Sequence, residues 1–176
     1  MKIRIIGACG TGKSYIAREL SRKYDVAYYE TDNLVWDRSA ENLRFTVEAR
    51  DAQLEEILDK PAWILEGAHY KWGQESFDRA DLIVILNPNK WFRNYRIIMR
   101  FIKTRLGLEQ ANYKQSLKSL RMMIFEWNRG YDEEGIHQII ELTEKMSYKR
   151  LIIKNNKDLE TALQERLKEK MIYRLE

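Results

Sequence analysis

The chain has 176 residues, 33% of them charged and 44% hydrophobic, with a formal net charge of +4. This length suits one domain whose core needs no disulfides or structural metal, and the single cysteine, Cys9, excludes a disulfide framework and favours a reducing compartment. Every apolar run is far shorter than the ~20 residues of a membrane span. We therefore expect a cytoplasmic protein with no membrane contact, whose modest positive charge suits an anionic ligand without indicating nucleic-acid binding by itself.

The first motif in the chain is a glycine-rich stretch that follows an apolar strand predicted at residues 3–6 and precedes a helix predicted at 13–24. This order of strand, turn and helix is typical of a phosphate-binding loop. Its glycines leave backbone N–H groups free to surround a phosphate. Lys13 is suited to the β- and γ-phosphates and the Ser14 hydroxyl to Mg²⁺, so the loop predicts ATP and Mg²⁺ as cofactors. The candidate ATP-binding residues here are Gly7, Ala8, Cys9, Gly10, Thr11, Gly12, Lys13 and Ser14.

Continuous apolar runs alternate with helical patterns along the rest of the chain. Further strands are predicted at 26–30, 62–66, 82–86 and 151–154, and further helices at 41–59, 89–105, 110–129, 132–147 and 158–172. Runs that are apolar on both faces are typical of a buried parallel sheet, and strands separated by helices predict a layered α/β fold. No repeat or linker interrupts the pattern, so we expect one domain over residues 1–176.

Polar residues follow each predicted strand, where ligands gather in parallel sheets. Asp32 follows the second strand; it is a candidate to orient an acceptor hydroxyl or a metal-bound water, or it caps a turn. Glu66 ends the third strand and is a candidate for the Mg²⁺ shell or for a structural hydrogen bond beneath the loop. His69 has weaker support, because a surface-loop histidine explains it equally well and no second His or Cys lies at metal-ligand spacing.

A basic helix is predicted over residues 90–105, and it contains no acidic residue. Spacings of three, four and three residues place its basic side chains on one face, namely Arg93, Arg96, Arg100 and Lys103. The opposite face is apolar and is predicted to pack inward, through Trp91, Tyr95, Ile98 and Ile102. The basic face suits a clamp on transferring phosphates, a contact with nucleic-acid phosphates or plain solvation, and its closeness to the phosphate loop favours the clamp.

The residues after the basic helix predict a lid-like helical segment over about 90–130. Its second helix is expected to dock on the basic helix through Tyr113, Leu117, Leu120, Ile124 and Trp127. Gly107 is a candidate hinge, and closure would exclude water from the triphosphate. Arg129 is expected to join the phosphate clamp on closure. The last helix, with Leu159, Ala162, Leu163 and Leu167, is predicted to cover the sheet.

Three blocks together resemble the P-loop kinases known as DNA topology modulation proteins (the FlaR-like group), which are similar in turn to adenylate kinases. The blocks are the phosphate loop, Glu-Thr-Asp-Asn-Leu-Val-Trp at 30–36 and Trp-Ile-Leu-Glu-Gly-Ala-His-Tyr at 63–70. The resemblance implies a three-layer P-loop NTPase fold, a five-stranded parallel sheet in the order 2-3-1-4-5, a lid after the fourth strand and adenine near Asn155. The group usually has Asp-Gly where this chain has Glu66-Gly67, which leaves the metal role of Glu66 open.

Two functions compete at this point. The favoured one is a kinase that moves the γ-phosphoryl of ATP to a small nucleotide, nucleoside or other hydroxylated acceptor. Its candidate catalytic residues are Lys13, Asp32, Arg93, Arg96, Arg100 and Arg129. The alternative is an ATP-binding regulatory protein that affects DNA topology by binding DNA through its basic helix. The acceptor region, residues 32–36 and 69–72, mixes aromatic and polar side chains that suit many ligands, so the sequence does not name the acceptor.

Overall fold

A computed structural model describes residues 1–37, 39, 43–108, 116–155, 158, 159, 161–163 and 165. Five parallel strands form one sheet in the order β2-β3-β1-β4-β5. The strands are β1 (Lys2–Gly7), β2 (Tyr28–Glu30), β3 (Trp63–Gly67), β4 (Leu82–Leu86) and β5 (Arg150–Ile153). The predicted α/β fold class and strand order are confirmed; the bounds of β4 are as predicted, and those of the other strands differ by at most two residues.

The central strand β1 determines where the loops of the sheet lie. It pairs with β3 on one side and β4 on the other, with Ile6 opposite both Gly67 and Ile85. Strands β3 and β4 are buried along their whole length, as their continuous apolar sequences predict. Because all strands run parallel, the loops that follow β1, β3 and β4 leave the sheet at one edge.

Helices cover both faces of this sheet. They are α1 (Lys13–Tyr24), α2 (Thr31–Val35), α3 (Val47–Leu58), α4 (Glu75–Arg79), α5 (Lys90–Arg105) and α6 (residues 117–142), followed by a 3₁₀ turn at Glu144–Lys149. One face packs α3 and the end of α6 around Trp63 and Phe77, and the other packs α1 around Ile3 and Ile5. Among the described helices, none has the length and hydropathy to cross a bilayer.

Helix α6 corrects the prediction of two separate helices at 110–129 and 132–147. The helix passes through Gly130, whose φ of −60° and ψ of −34° are helical, without a break. It contains two wider π-helical turns, Met123–Trp127 and Tyr131–Gly135. The predicted start of the first helix, residues 110–115, lies outside the described residues. The break was wrongly predicted because glycine lowers helix propensity but does not by itself end a helix.

Two short helices were also not expected, since α2 and α4 have five residues each, too few for a helical repeat to be recognised. Asp32 therefore lies in the first turn of α2 and not in an open loop. Leu159 and Leu163 are buried against the face of the sheet that carries α1, as expected for covering residues. Leu167 and most of the rest of the predicted last helix lie outside the described residues.

Helix α5 is rotated relative to the prediction. The apolar side chains expected to pack inward are exposed, by 72% for Trp91, 60% for Tyr95, 39% for Ile98 and 42% for Ile102. The buried face contains Arg93 and Ile97, each 1% exposed. The prediction was wrong because it assumed that apolar burial decides the orientation of the helix. Here Arg96 finds an acceptor on the phosphate loop and Arg93 an acceptor on α6, which offsets part of the cost of burying them.

Gly67 is held where β3 meets α2, and no larger residue fits there. Its φ is 155°, and a Cβ at this position would lie 1.7 Å from Thr31 Oγ1. Gly130 is the opposite case, because a Cβ there would meet nothing within 4 Å.

We predict that Gly67→Ala destabilises the protein by about 1–3 kcal/mol, because the new methyl group forces Thr31 and the end of β3 apart. Gly130→Ala is the matched control, and we expect it to be neutral or to stabilise α6 by up to about 1 kcal/mol. Chemical denaturation of both variants measures the two effects. Equal free energies of unfolding for the two variants would contradict the packing described at Gly67.

Candidate functional site

The loop after β1 has the backbone of an anion-binding nest. Gly10 and Gly12 have φ values of 76° and 95°, in the left-handed region that favours glycine. Helix α1 begins at Lys13 without a side-chain cap, so no side chain occupies its first amide groups. A helix start of this kind favours an anion. A Cβ at Gly10 would lie 2.5 Å from the Arg93 carbonyl oxygen, so α5 also presses directly on the loop.

Two side chains of the loop donate hydrogen bonds to the loop backbone. The Thr11 hydroxyl is buried and donates to the Ala8 carbonyl oxygen at 3.0 Å. The Lys13 ammonium donates to the same carbonyl oxygen at 2.9 Å. Lys13 thus remains at the loop, where a phosphate would offer its ammonium group a stronger, charged acceptor.

Ser14 and Glu66, the two predicted metal residues, lie in direct contact. The Ser14 hydroxyl donates to Glu66 Oε1 at 2.5 Å, and Glu66 is only 3% exposed. A hydroxyl and one carboxylate form a hard oxygen pair that fits Mg²⁺, which typically takes its remaining ligands from phosphates and water. The described residues contain no group of three or more His, Cys, Asp or Glu side chains that could hold a metal without a phosphate.

Arg4 supports this pair from inside the sheet and was missed in the sequence. It is 1% exposed and donates to the carbonyl oxygens of Leu65 at 3.3 Å and His69 at 2.7 Å. Burial lowers the pKa of Arg4 to about 10, while the Glu66 carboxylate opposes that shift. Arg4 therefore ties β1 to the end of β3 and offsets the buried charge of Glu66. A charged residue inside an otherwise apolar run, residues 3–6, was the available signal.

Asp32 faces the loop after β3. Its Oδ1 lies 3.1 Å from His69 Nε2, and the two side chains are 58% and 34% exposed respectively. The His69 ring lies 5.2 Å from the Trp72 ring, measured between centroids. The structure thus brings together the two segments of the predicted acceptor region, residues 32–36 and 69–72. Its His69 contacts both an exposed carboxylate and an aromatic ring.

The arginines of α5 point toward the phosphate loop and α6. Arg96 donates from Nη1 to the Thr11 carbonyl oxygen at 3.1 Å. Arg93 donates from Nη2 to both carboxylate oxygens of Asp132, at 2.5 and 2.6 Å. Arg100 donates to the Met123 sulfur at 3.8 Å. The face predicted to be basic is therefore the face that meets the loop.

The pKa of the Cys9 thiol depends on the charged side chains that surround the phosphate loop. Burial raises its pKa, the positive charges of Lys13, Arg100 and Arg93 lower it, and the Asp32 carboxylate raises it. Four predicted catalytic residues thus act electrostatically on one atom of the phosphate loop. The sequence alone placed them in three separate elements, since Arg93 and Arg100 share the basic helix.

Two predicted residues are not brought to the loop by any contact described here. The Arg129 side chain is 72% exposed and pairs with Glu133 one turn along α6, at 2.7 Å. Asn155 lies just past β5, at the same edge of the sheet as the loop, and is exposed. Their roles in catalysis and adenine binding stay predictions.

The contacts between α5 and α6 differ from the predicted set. Leu117 and Trp127 are 69% and 51% exposed, and Tyr113 lies outside the described residues. The buried residues of α6 here include Asn128 and Tyr131, at 2% and 7% exposed. The π-helical turns shift the buried face away from the 4-3-4-3 spacing, so a regular helical repeat could not find these residues or Asp132.

A shallow cleft of about 480 Å³ lies between the loop after β3 and the end of α6. It is lined by Tyr70, Lys71, Gln74, Gln138, Glu141 and Leu142. None of the predicted catalytic, ATP-binding or metal residues lines it, so the candidate site is the open edge around the phosphate loop.

Comparison with known proteins places the chain in a family. No protein-family model matches the sequence. The sequence is 30% identical over 138 residues to the uncharacterized protein YqaC of Bacillus subtilis (strain 168), covering 76% of this chain and 74% of that protein. The chain belongs to the YqaC family.

The fold of this YqaC relative is similar to that of solved kinases. Shikimate kinase from Bacteroides thetaiotaomicron aligns with a TM-score of 0.51 and 19% identity, over 97% of this chain and 98% of that chain. A gluconokinase from Sinorhizobium meliloti 1021 aligns with a TM-score of 0.43 and 14% identity, over 80% of this chain and 96% of that chain. Together with the strand order, the first alignment shows the P-loop kinase α/β fold.

We predict that the Cys9 thiol of the folded protein reacts slowly with an aromatic disulfide reagent. Because burial raises its pKa, the thiolate forms at higher pH than in a free thiol. The curve of reaction rate against pH is therefore displaced toward higher pH. Cys9 is the only cysteine, so the released chromophore reports on it alone. The unfolded protein in denaturant is the control, and equal rates in the folded and unfolded protein at one pH would contradict the prediction.

Proposed function

We propose that the protein is an ATP-dependent phosphotransferase that acts on a small hydroxylated acceptor. The observation that carries the proposal is the contact between Ser14 and Glu66 at the start of α1, within a glycine-rich nest that Arg93 and Arg96 approach from α5. Phosphoryl transfer needs positioning and charge neutralisation more than covalent chemistry, and this arrangement can provide both.

The donor side of the proposed site is formed by the loop and α5. The amide groups of residues 7–14 would hold the phosphates, and Lys13 would exchange the Ala8 carbonyl for a phosphate oxygen. Ser14 and Glu66 would hold Mg²⁺, which supplies positive charge against the β- and γ-phosphates. Arg93, Arg96 and Arg100 would neutralise the charge that develops on the transferring group, and Asn155 is proposed to lie near adenine.

The acceptor side of the proposed site is formed by Asp32 and His69. The Asp32 carboxylate is exposed at the sheet edge and would accept a hydrogen bond from the acceptor hydroxyl, which orients it for attack. A nucleotide, a nucleoside or another hydroxylated molecule fits this chemistry. The protein of similar fold is named for phosphorylating shikimate, which supports a small acceptor as a class.

We further propose that the chain is a single domain with a lid-like helical segment at about 90–130, in which Arg129 joins the clamp on closure. Gly107 supports a hinge, because its φ is 70° and no atom of the described residues lies within 4 Å of a Cβ built there. A closed lid would keep water from the transferring phosphoryl group.

The DNA-binding alternative is not favoured by the orientation of α5. Its Arg93 is buried, and Arg96 donates to the loop, so these groups do not form an outward stripe for phosphates of a nucleic acid. The outer side of the helix instead contains exposed apolar residues such as Trp91. Membership of the DNA topology modulation group remains a proposal based on the sequence blocks.

The first test is a screen of nucleoside, nucleotide and sugar acceptors for ADP release with Mg-ATP. We expect at least one acceptor to exceed the ATPase background, and Lys13→Ala to lower that rate by about a hundredfold or more, because it removes a preorganised donor to the phosphates. Lys23→Ala, an exposed residue of the same helix, is the matched control and should retain the rate. The kinase proposal fails if no acceptor exceeds the background and Lys13→Ala leaves that background unchanged.

The second test separates the kinase from the DNA-binding alternative by salt. We expect ATP turnover with a small acceptor to change little between about 50 and 200 mM salt, whereas DNA binding through phosphate contacts would weaken steeply over this range. Fluorescence anisotropy with a labelled duplex measures the second quantity. Tight, strongly salt-dependent duplex binding that is lost on substitution of Arg96 or Arg100 would support the alternative instead.

A further inference from the structure

The guanidinium group of Arg93 is buried with only part of its hydrogen-bonding capacity used. Its Nη2 donates to both oxygens of Asp132, whereas its Nε and Nη1 atoms are buried and have no hydrogen-bond partner among the described residues. Leaving buried charged donors without a hydrogen-bond partner is unfavourable, because their hydration is lost and nothing replaces it. Such a cost indicates that an acceptor absent from this structure, and most favourably an anion, completes the set.

Arg93 is also the residue of α5 that lies against the phosphate loop. Its carbonyl oxygen would be 2.5 Å from a Cβ at Gly10, and its charge acts on the Cys9 thiol. The backbone of Arg93 thus touches the phosphate loop, and its guanidinium charge acts on a thiol of that loop. An anion bound in the loop would lie next to the helix that carries the unpaired donors.

Asp132 reaches Arg93 from the second π-helical turn of α6, Tyr131–Gly135. Two consecutive residues of this turn contact the Arg93 guanidinium. Asp132 accepts its Nη2 hydrogen bonds, and the Tyr131 ring centroid lies 5.5 Å from its central carbon. Tyr131 is buried, and in the part of the chain that the structure describes its hydroxyl has no hydrogen-bond partner. The wide turn thus engages Nη2 and the face of the guanidinium, and it leaves the buried Nε and Nη1 without a hydrogen bond among the described residues.

We propose that Asp132 is a positioning residue for phosphoryl transfer. Asp132 holds Arg93 by one nitrogen, so that Nε and Nη1 are presented in a fixed place to the transferring phosphoryl group. This inference rests on the proposed function, because it deepens the role of one of its arginines. It also assigns a role to α6, which contacts α5 through Arg93, Asn94 and Arg100.

A purely structural ion pair would have a different pattern. Arginine pairs with carboxylates most strongly through two parallel hydrogen bonds from two nitrogens, which would leave fewer donors unpaired. Here both carboxylate oxygens engage a single nitrogen, and Asp132 is itself 36% exposed. A buried pair of this kind adds little net stability, so its geometry is better explained by the donors that it leaves free.

The test is a double-mutant cycle with a phosphoryl-transfer analogue. Affinities for Mg-ADP and for Mg-ADP with fluoroaluminate are measured by calorimetry in wild type, Asp132→Asn, Arg93→Met and the double variant. We expect Asp132→Asn to weaken the analogue about tenfold or more while changing ADP affinity little, since one hydrogen bond to a charged group is lost from the analogue alone. In the Arg93→Met background Asp132→Asn should have no further effect.

Two further variants keep the result interpretable. Asp132→Glu retains the carboxylate and should recover part of the lost analogue affinity, which a simple loss of stability would not explain. Glu134→Gln removes an exposed charge from the same π-helical turn and should leave both affinities and the melting temperature unchanged. Arg93→Met is close in size to arginine, and its folding is checked by circular dichroism before the cycle is measured.

The outcomes separate this inference from the proposed function. Asp132 is not a positioning residue if Asp132→Asn lowers only the melting temperature, or if it weakens the analogue equally with and without Arg93. Turnover of an acceptor in the screen together with either of those results would overturn the inference and leave the kinase proposal standing. Conversely, a positive cycle in a protein that phosphorylates no acceptor would support the Asp132–Arg93 unit and count against the kinase.

Discussion

The close contact between Gly10 and the first turn of α5 is the constraint on which the rest of the site depends. Only a residue without a Cβ lets the Arg93 carbonyl approach the loop so closely. With α5 held there, Arg93 lies against α6 and Arg96 against the loop, Ile97 is buried, and Trp91 and Tyr95 are exposed. One glycine thus sets both the shape of the phosphate nest and the charges that surround it.

Cations gather around this loop without a phosphate because its own oxygens accept their hydrogen bonds. Lys13 uses the Ala8 carbonyl and Arg96 uses the Thr11 carbonyl. Neutral carbonyls are weaker acceptors for these groups than a phosphate oxygen would be. A bound triphosphate would therefore gain from exchanging these contacts, and the side chains need only local movement to make them. The loop is in this sense preorganised for an anion.

The sequence predicted the sheet and the loop well because both follow from local patterns. Buried strands such as β3 and β4 read as continuous apolar runs, and the glycine spacing of the loop is specific. The orientation of α5 could not be predicted from its own residues, because the acceptors that hold Arg93 and Arg96 lie in Asp132 and in the loop backbone. The buried face of α6 could not be predicted either, because a π-helical turn does not follow the 3.6-residue repeat by which a helix is recognised in a sequence.

The length of the Glu66 side chain determines its contact with Ser14 at the start of α1. Its side chain is longer than aspartate by one methylene, about 1.5 Å. It spans from the buried strand β3 to the Ser14 hydroxyl, which donates to it directly, while Arg4 on the neighbouring strand β1 compensates its charge. A shorter carboxylate on this backbone would not reach Ser14 and would act on a cation through water. Glu66 and Ser14 therefore form one hydrogen-bonded unit, and the metal role proposed for them is a role of the pair.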